Sequence, residues 1–447
     1  MNRVLIISMD KIDKNMAGSG IRNWEIAHQL AKHCQVTLTT PYSTDLESSH
    51  VSILRIDFEN EDLRPLAHQA DVIILQGTVL YHHPYLSDFQ IPIAVDSYAP
   101  WLLENLVWHD QDDWQTWLPA YEKMFSVQLK LLEAGDFFFC ASERQRDYWL
   151  GMLHAQNRIN PYSYRKDPTL RNLIDVVSYG LPDKAPVATQ PTIKGVHPAI
   201  KKTDKVILWS GGLWEWLDPL TLVHAVAKLV SRHPELKLYF MGTQHPNPAV
   251  VGMAMPAKTI ALSQELGVYE SHVFFNDWVP YKERANYLVE ADLAVISHPE
   301  HIETRFSYRT RMLDCIWASI PLIITKGDEM ADWVDKYNLG LTVPSQDVDA
   351  MAAAIEKILT RGEQEAYTAG FNSLRAKLSW SQVCEPLVNF CTNPSLASDR
   401  QYIDQSEKLV RGKVTEASPL QGTSDRHRTS LPFRLYSSIK QSIKKYL

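Results

Sequence analysis

No apolar run in these 447 residues approaches the ~18 to 20 that a helix needs to cross a bilayer, so the sequence offers no membrane span. Its first ten residues, Met1 to Asp10, hold too short an apolar stretch for a secretory leader and read instead as an opening β-strand. Cysteine is scarce. Cys34, Cys140, Cys315, Cys384 and Cys391 are odd in number, scattered, and never in C-x-x-C spacing. That argues against a zinc site or a disulfide frame and suits core positions in a reducing, cytoplasmic compartment. Positive charge is short as well: a net charge of −7 leaves no surplus for a chain-wide nucleic-acid surface. A dinucleotide fingerprint is missing too. The segment Ala17-Gly18-Ser19-Gly20-Ile21-Arg22 departs from G-x-G-x-x-G because Asn23 stands where the last glycine belongs. Glycines there still let a backbone approach a ligand closely. Gly18, Ser19, Gly20 and Arg22 are therefore a candidate ligand-facing loop, with a plain turn as the alternative.

What the chain has in quantity is alternation. Short β-rich runs at Val4–Met9, Val36–Thr40, Ser52–Ile56, Val72–Leu75, Ile91–Val95, Phe137–Cys140 and Val176–Tyr179 are interleaved with helical patterns at Ile21–His33, Asp113–Ala134 and Glu143–Leu153. Between Pro182 and Asp204 the period is lost among Pro182, Pro186, Pro191 and Pro198, the mark of a linker. The rhythm then restarts, with strands at Val206–Trp209, Leu236–Met241, Val273–Phe275, Leu293–Ile296 and Leu322–Ile324. Helices are expected at Leu220–Arg232, Thr259–Leu266, Lys282–Glu290, Arg311–Ala318, Met330–Tyr337 and Asp347–Leu359. The pattern predicts an α/β protein with two Rossmann-like, doubly wound domains facing a central cleft. Residues 1–185 form the first domain, 186–204 the linker, 205–375 the second domain, 376–392 a crossover helix and 393–447 a polar tail. Ligands bind beyond the C-terminal strand ends of such sheets. One cleft between two of them can hold two substrates, which suits group transfer. The 13 tryptophans and 19 tyrosines fit a cleft that handles sugars.

At the tail's end, Leu435, Ile439, Ile443 and Tyr446 fall on one helical face, while Arg434, Lys440, Lys444 and Lys445 add charge without an acid. A basic amphipathic helix over residues 431–447 would contact an anionic membrane. A helix packed on its own protein, or a disordered end, are the alternatives.

The most informative stretch runs from Glu303 to Asp314. It places Arg305, Arg309 and Arg311 within seven residues, between the expected strands Leu293–Ile296 and Ile320–Thr325. A strand that ends in a cationic loop feeding a helix N-terminus is an anion site, because free N–H groups and the helix dipole favour phosphate. Surface salt bridges are the alternative. In the first half, Ala94-Val95-Asp96 ends a strand with an acid, and Asp96 would face the cleft to meet an acceptor hydroxyl or act as its base. His109 is a further candidate, against the reading of an ordinary surface histidine.

Several stretches taken together resemble family 4 of the glycosyltransferases, the group 1 enzymes of bacterial polysaccharide clusters, which have the GT-B fold. They are Leu208–Leu220, Ala17–Arg22 with Trp24-Glu25, Asp136–Leu150, Val177–Pro182, Met241–Pro248, Asp277–Asp292 and Glu303–Pro321. The resemblance spans roughly residues 1 to 391. It implies a hexosyltransferase that takes a sugar from a nucleoside-diphosphate donor, with retention at the anomeric carbon. The donor would sit on the second half and a saccharide or lipid-linked acceptor on the first, at the inner face of the membrane, in cell-surface polysaccharide synthesis. It implies neither cofactor nor metal, since helix termini and basic side chains would stabilise the departing diphosphate.

Two departures from the family are visible. The basic pair, Arg then Lys, usual after the first donor-domain strand is replaced by Gly212 and Leu217. Of the usual two glutamates separated by seven residues, the second corresponds to Asp314, and the nearest acid upstream is Glu303. The arginine cluster would restore the lost charge. Arg309 is the strongest candidate, because Arg311 lies inside the helix and positions two apart face different ways. The resemblance thus assigns donor contacts to Gly211, Gly212, Trp214, Gly242, Arg305, Ser307, Tyr308, Thr310 and Asp314, the last with the ribose hydroxyls or as a dipole partner. Catalytic roles fall to Asp96, Glu303 at the donor sugar, and Arg309. An epimerase of the same fold and an inactive nucleotide-sugar-binding scaffold stand as alternatives.

Overall fold

Runs of β-branched and aromatic residues pair side by side into two sheets. In the computed structural model, which describes residues 1–248, 250, 253–361, 366–400 and 402, the first sheet contains seven strands. These are β1 (Arg3–Ile7), β2 (Gln35–Thr40), β3 (Val51–Arg55), β4 (Val72–Leu75), β5 (Ile93–Asp96), β6 (Phe137–Cys140) and β7 (Ile174–Val176), in the order β3-β2-β1-β4-β5-β6-β7. The second holds β8 (Lys205–Trp209), β9 (Leu236–Phe240), β10 (Val273–Phe275), β11 (Leu293–Ile296), β12 (Leu322–Thr325) and β13 (Gly340–Val343), in the order β10-β9-β8-β11-β12-β13. Every neighbouring pair is parallel.

Parallel strands need crossovers, and the crossover helices cover both faces. The central strands are accordingly buried from end to end. Side chains alternate between faces: Val4 and Ile6 of β1 enter one core while Leu5 and Ile7 enter another, and Val206 and Leu208 of β8 part in the same way from Ile207 and Trp209. All five cysteines are buried and unpaired.

Each sheet reverses its winding once, between β1 and β4 and between β8 and β11. Such switch points open a crevice at the C-terminal strand ends. The GT-B architecture expected from the sequence is present, with the two sheets' crevices facing one cleft.

Several local expectations are corrected. Gly18, Ser19 and Gly20 are not a loop but the first turn of the Gly18–Leu30 helix. The stretch from Glu303 to Asp314 is not one loop entering one helix. It forms two helices, Ile302–Phe306 and Thr310–Ala318, separated at Ser307 to Arg309, where Ser307 is extended. The strand expected at Val176–Tyr179 ends at Val176. Elements not anticipated include the Trp101–Trp108 helix and the edge strand β13. The last described segment forms two short helices, Trp380–Val383 and Glu385–Thr392, rather than one.

That segment returns to the first domain. Trp380 packs on Tyr179, ring centroids 4.9 Å apart, and covers Gly180, where a Cβ would meet its indole at 2.5 Å. Asn2 Nδ2 donates to the carbonyls of Cys391 and Thr392 at 2.9 and 3.0 Å. Arg158 forms a buried ion pair with Asp399 at 2.8 Å. Residues Met1–Arg400 form one contact unit. The basic helix expected over 431–447 lies outside the described residues. Among the described residues no helix is long and apolar enough to cross a membrane.

Candidate functional site

A cavity of about 450 Å³ lies where the two crevices face each other. One wall comes from Met9 and Asp10 after β1, Gln76 and Gly77 after β4, Asp96 and Tyr98 at the end of β5, and the Trp101–Trp108 helix. Trp214, Trp216 and Leu217 after β8 and Ser307 to Arg311 form the other. A second cavity of about 130 Å³ adjoins it, floored by Ser210 to Gly212, Met241, Trp278, Arg284 and Asp314. Ala17, Gly18, Trp214, Thr310 and Arg311 line both, so Arg311 stands at their junction.

The arginines of the cluster have different fates. Arg309 grips the buried Glu303 through two hydrogen bonds, 2.9 and 2.8 Å, and its Nε lies 3.7 Å from Asp328. Asp328 in turn caps the Glu329–Tyr337 helix at Ala331 N and sits 3.3 Å from the buried His298. A guanidinium held bidentately by one carboxylate and beside a second has little left for phosphate. The expected anion-binding role of Arg309 is therefore replaced by a structural one: it ties the break between the two short helices. Glu303 is buried behind it and lines neither cavity, which removes it from direct contact with a donor sugar in this conformation. Arg305 is exposed, near the Phe306 ring, and also lines neither cavity.

Arg311 is the one set aside from sequence, and it faces the cleft. Nη1 donates to Gly212 O at 3.1 Å, and the guanidinium lies 5.2 Å from the Trp209 ring centroid. Among the described residues it has no carboxylate partner. Burial, with nearby Arg309 adding to it, pushes its pKa down to about 9. As the second residue of its helix, Arg311 belongs to the first turn, where side chains lean back toward the N-terminus. A place inside the helix therefore does not keep Arg311 from the cleft. Gly211 has φ +96° and no side chain, and a Cβ there would sit 3.8 Å from Arg311 Cζ. Trp214 folds over Gly212.

In the smaller cavity, Asp314 Oδ1 accepts from Arg284 Nε at 3.0 Å. Arg284 lies 3.8 and 4.7 Å from the Tyr281 and Trp317 rings. Burial works against its charge, but Asp314 and Tyr281 outweigh it and hold the guanidinium ionised. Ser307, Tyr308 and Thr310 line the larger cavity. Gly242 lines neither. A Cβ there would meet Trp278 at 2.7 Å, so its part is to seat that indole.

On the first-domain side, Asp96 is not a free base. It holds the buried Arg22 through bonds of 2.7 and 3.1 Å and also accepts from Tyr98 N at 3.2 Å. Arg22 further donates to Val177 O and Ser178 O, at 2.8 and 3.2 Å. The pair is therefore a strut between helix and sheet. Burial lifts the Asp96 carboxyl above its usual range, and Arg22 opposes the lift. Gly18 and Ser19 line the large cavity, whereas Gly20 packs under Lys11 O. A Cβ at Gly18 would lie 3.3 Å from Tyr98 Oη and 3.7 Å from Thr310 Oγ1, so helix and opposite domain approach closely there. Ser19 Oγ bonds Asp10, whose Oδ1 accepts from Asn247 Nδ2 of the second domain at 2.8 Å. His109 is bonded to Asp112 at 2.6 Å and stacked near Trp117, outside both cavities.

Of the residues that line the cavities, Glu104 and Arg284 are not singled out by the sequence pattern. Glu104 was legible as part of a face, since Trp101, Glu104, Asn105 and Trp108 follow the helical spacing i, i+3, i+4, i+7.

The family model described as Glycosyl transferases group 1 matches residues 204–361, which run from the linker's end through β8–β13 to the helix Val348–Arg361. No curated protein matches the sequence. Sucrose-phosphate synthase from Thermosynechococcus elongatus is similar in structure over 93% of this chain and 100% of its own, with TM-score 0.59 and 16% identity. WaaG, a glycosyltransferase involved in lipopolysaccharide biosynthesis, is similar over 87% and 99%, with TM-score 0.62 and 15% identity. Anabaena HepE in complex with UDP-glucose is similar over 88% and 100%, with TM-score 0.62 and 13% identity. At these identities the similarity is one of fold.

Proposed function

We propose that this chain, whose residues 204–361 match the model of the group 1 glycosyltransferases and whose fold is GT-B, transfers a hexosyl group from a nucleoside-diphosphate sugar to a saccharide or lipid-linked acceptor. The observation that carries this reading is Arg311, a cation with no carboxylate partner among the described residues, at the junction of two cavities. The nucleoside enters the smaller cavity, where Asp314 offers its second oxygen to the ribose hydroxyls. The diphosphate lies along the Gly211-Gly212 backbone against Arg311. The sugar projects into the larger cavity.

Breaking the anomeric C–O bond leaves its electron pair on the diphosphate. A fixed cation in a dry site stabilises that developing charge without reorganisation. The guanidinium occupies the flank of Gly212, one of the two positions where relatives in the resembled family carry a basic side chain. Arg311 thus replaces from the helix what the loop lacks. HepE, of the same fold, is named in complex with UDP-glucose, which supports a nucleotide-sugar donor. Retention of configuration, independence of metal and cofactor, and work at the cytoplasmic face of a membrane in polysaccharide synthesis complete the proposal.

The test is a panel of nucleoside-diphosphate sugars with saccharide acceptors. Released nucleoside diphosphate together with an extended acceptor is expected, undiminished by EDTA. An isomerised donor with no diphosphate released would replace the reading with epimerisation, and binding without turnover would replace it with a scaffold.

A further inference from the structure

The donor reading leaves one wall of the large cavity unused. On it stand Trp101, Glu104, Asn105 and Trp108, all from one face of the Trp101–Trp108 helix and all half-buried. Trp214 and Trp216 stand on the opposite wall. The Glu104 carboxyl has no hydrogen-bond or ion-pair partner among the described residues. Asn105 donates its amide N–H to Trp101 O at 2.7 Å, which leaves its carbonyl oxygen free to accept.

Flat apolar rings beside a few polar groups are what a pyranose requires. Its C–H face lies on an indole, and its hydroxyls need both acceptors and donors. We propose that this helix face is the acceptor subsite and that the acceptor end is a hexopyranoside. Its ring stacks on Trp101 and Trp108, and its hydroxyls bond to Glu104 and Asn105. This rests on reading the cleft as a site of glycosyl transfer.

The charged and titratable groups around Glu104 are Glu303 and Arg309 from the second domain, and Tyr98 and Asp96 from the end of β5. Burial first, then Glu303, raise the Glu104 pKa to about 8, with Arg309 opposing. The raised pKa favours the neutral carboxylic acid, which can both donate to one hydroxyl and accept from another.

The experiment titrates p-nitrophenyl α- and β-hexosides into the full-length protein. It follows tryptophan fluorescence, with donor affinity measured in parallel by calorimetry. Binding of at least one hexoside is expected. Glu104→Ala and Trp108→Ala should each weaken it at least tenfold, the scale of one lost hydrogen bond or stacking contact in a dry site, with donor affinity unchanged. Glu104→Gln, which mimics the protonated acid, should keep wild-type affinity and abolish the weakening that wild type shows above pH 8. Failure of every hexoside to bind while donor binding persists overturns this inference and spares the functional reading. So does binding that ignores Glu104→Ala and Trp108→Ala. Loss of all nucleotide-sugar binding by the wild type strikes the functional reading instead.

Discussion

Arg309 and Arg311 are two residues apart and do opposite work. Arg309 is neutralised by buried Glu303. Its replacement by alanine strands that carboxylate, and breaking a buried pair costs about 3–5 kcal/mol. Thermal denaturation of Arg309→Ala should show a large fall in Tm. Arg311→Gln should leave Tm unchanged or raised, since it removes a half-buried charge that no carboxylate among the described residues offsets, while donor affinity in calorimetry falls at least tenfold. The sequence points to the stretch that lines the cleft, and favours the arginine that Glu303 holds over the one that lines both cavities. Spacing says which residues share a turn; it cannot say that a carboxylate six positions upstream folds back onto one of them. The same blindness applies to Asp96, legible as a strand-end acid but not as the partner of Arg22. Glu104 adds a pH effect of definite sign. Its folded pKa of about 8 stands above the ordinary 4.5. The unfolded chain therefore gains from ionisation across that window while the folded chain does not. Relative to wild type, Glu104→Gln should be stabilised as pH rises from 5 to 9, and a series of Tm measurements over that range would show it.

Elements were legible where burial is complete. Strands β1, β4, β6, β8, β11 and β12 are short apolar runs because helices cover both faces of a parallel sheet, and each was placed within two residues. Strand β13 escaped because Gly340 and Thr342 dilute its pattern. Yet Gly340 is what allows the strand. Its φ is +154°, and a Cβ there would collide with Leu322 O of β12. Gly340→Ala is expected to cost about 2 kcal/mol or more, from strain together with lost pairing. Urea titration should show a lower midpoint with an unchanged slope. The Gly18-Ser19-Gly20 turn was mistaken for a loop because glycine is a weak helix former. Its helix is anchored by tertiary contacts that spacing does not encode.

For the molecule as a whole, two α/β halves and the cleft between them followed from the alternation of strand and helix patterns. What did not follow is how the halves hold one another. Asp10 meets Asn247, Gln145 Nε2 donates to Phe306 O at 2.9 Å, and Tyr281 Oη donates to Glu25 at 2.8 Å, each across the cleft. These bonds are few and polar, so closure should be sensitive to them. Asn247→Ala is expected to raise the KM for donor and acceptor together while Tm changes little. Small-angle scattering should report a larger radius of gyration.

The returning segment also has a practical meaning. Because Trp380, Cys391 and Asp399 all seat on the first half, the second half is an insertion rather than an appendage. Anyone hoping to swap it for a module with another sugar preference would need two splice points, one among the prolines and one just before Trp380. A single cut would leave the recipient with an uncovered apolar seam.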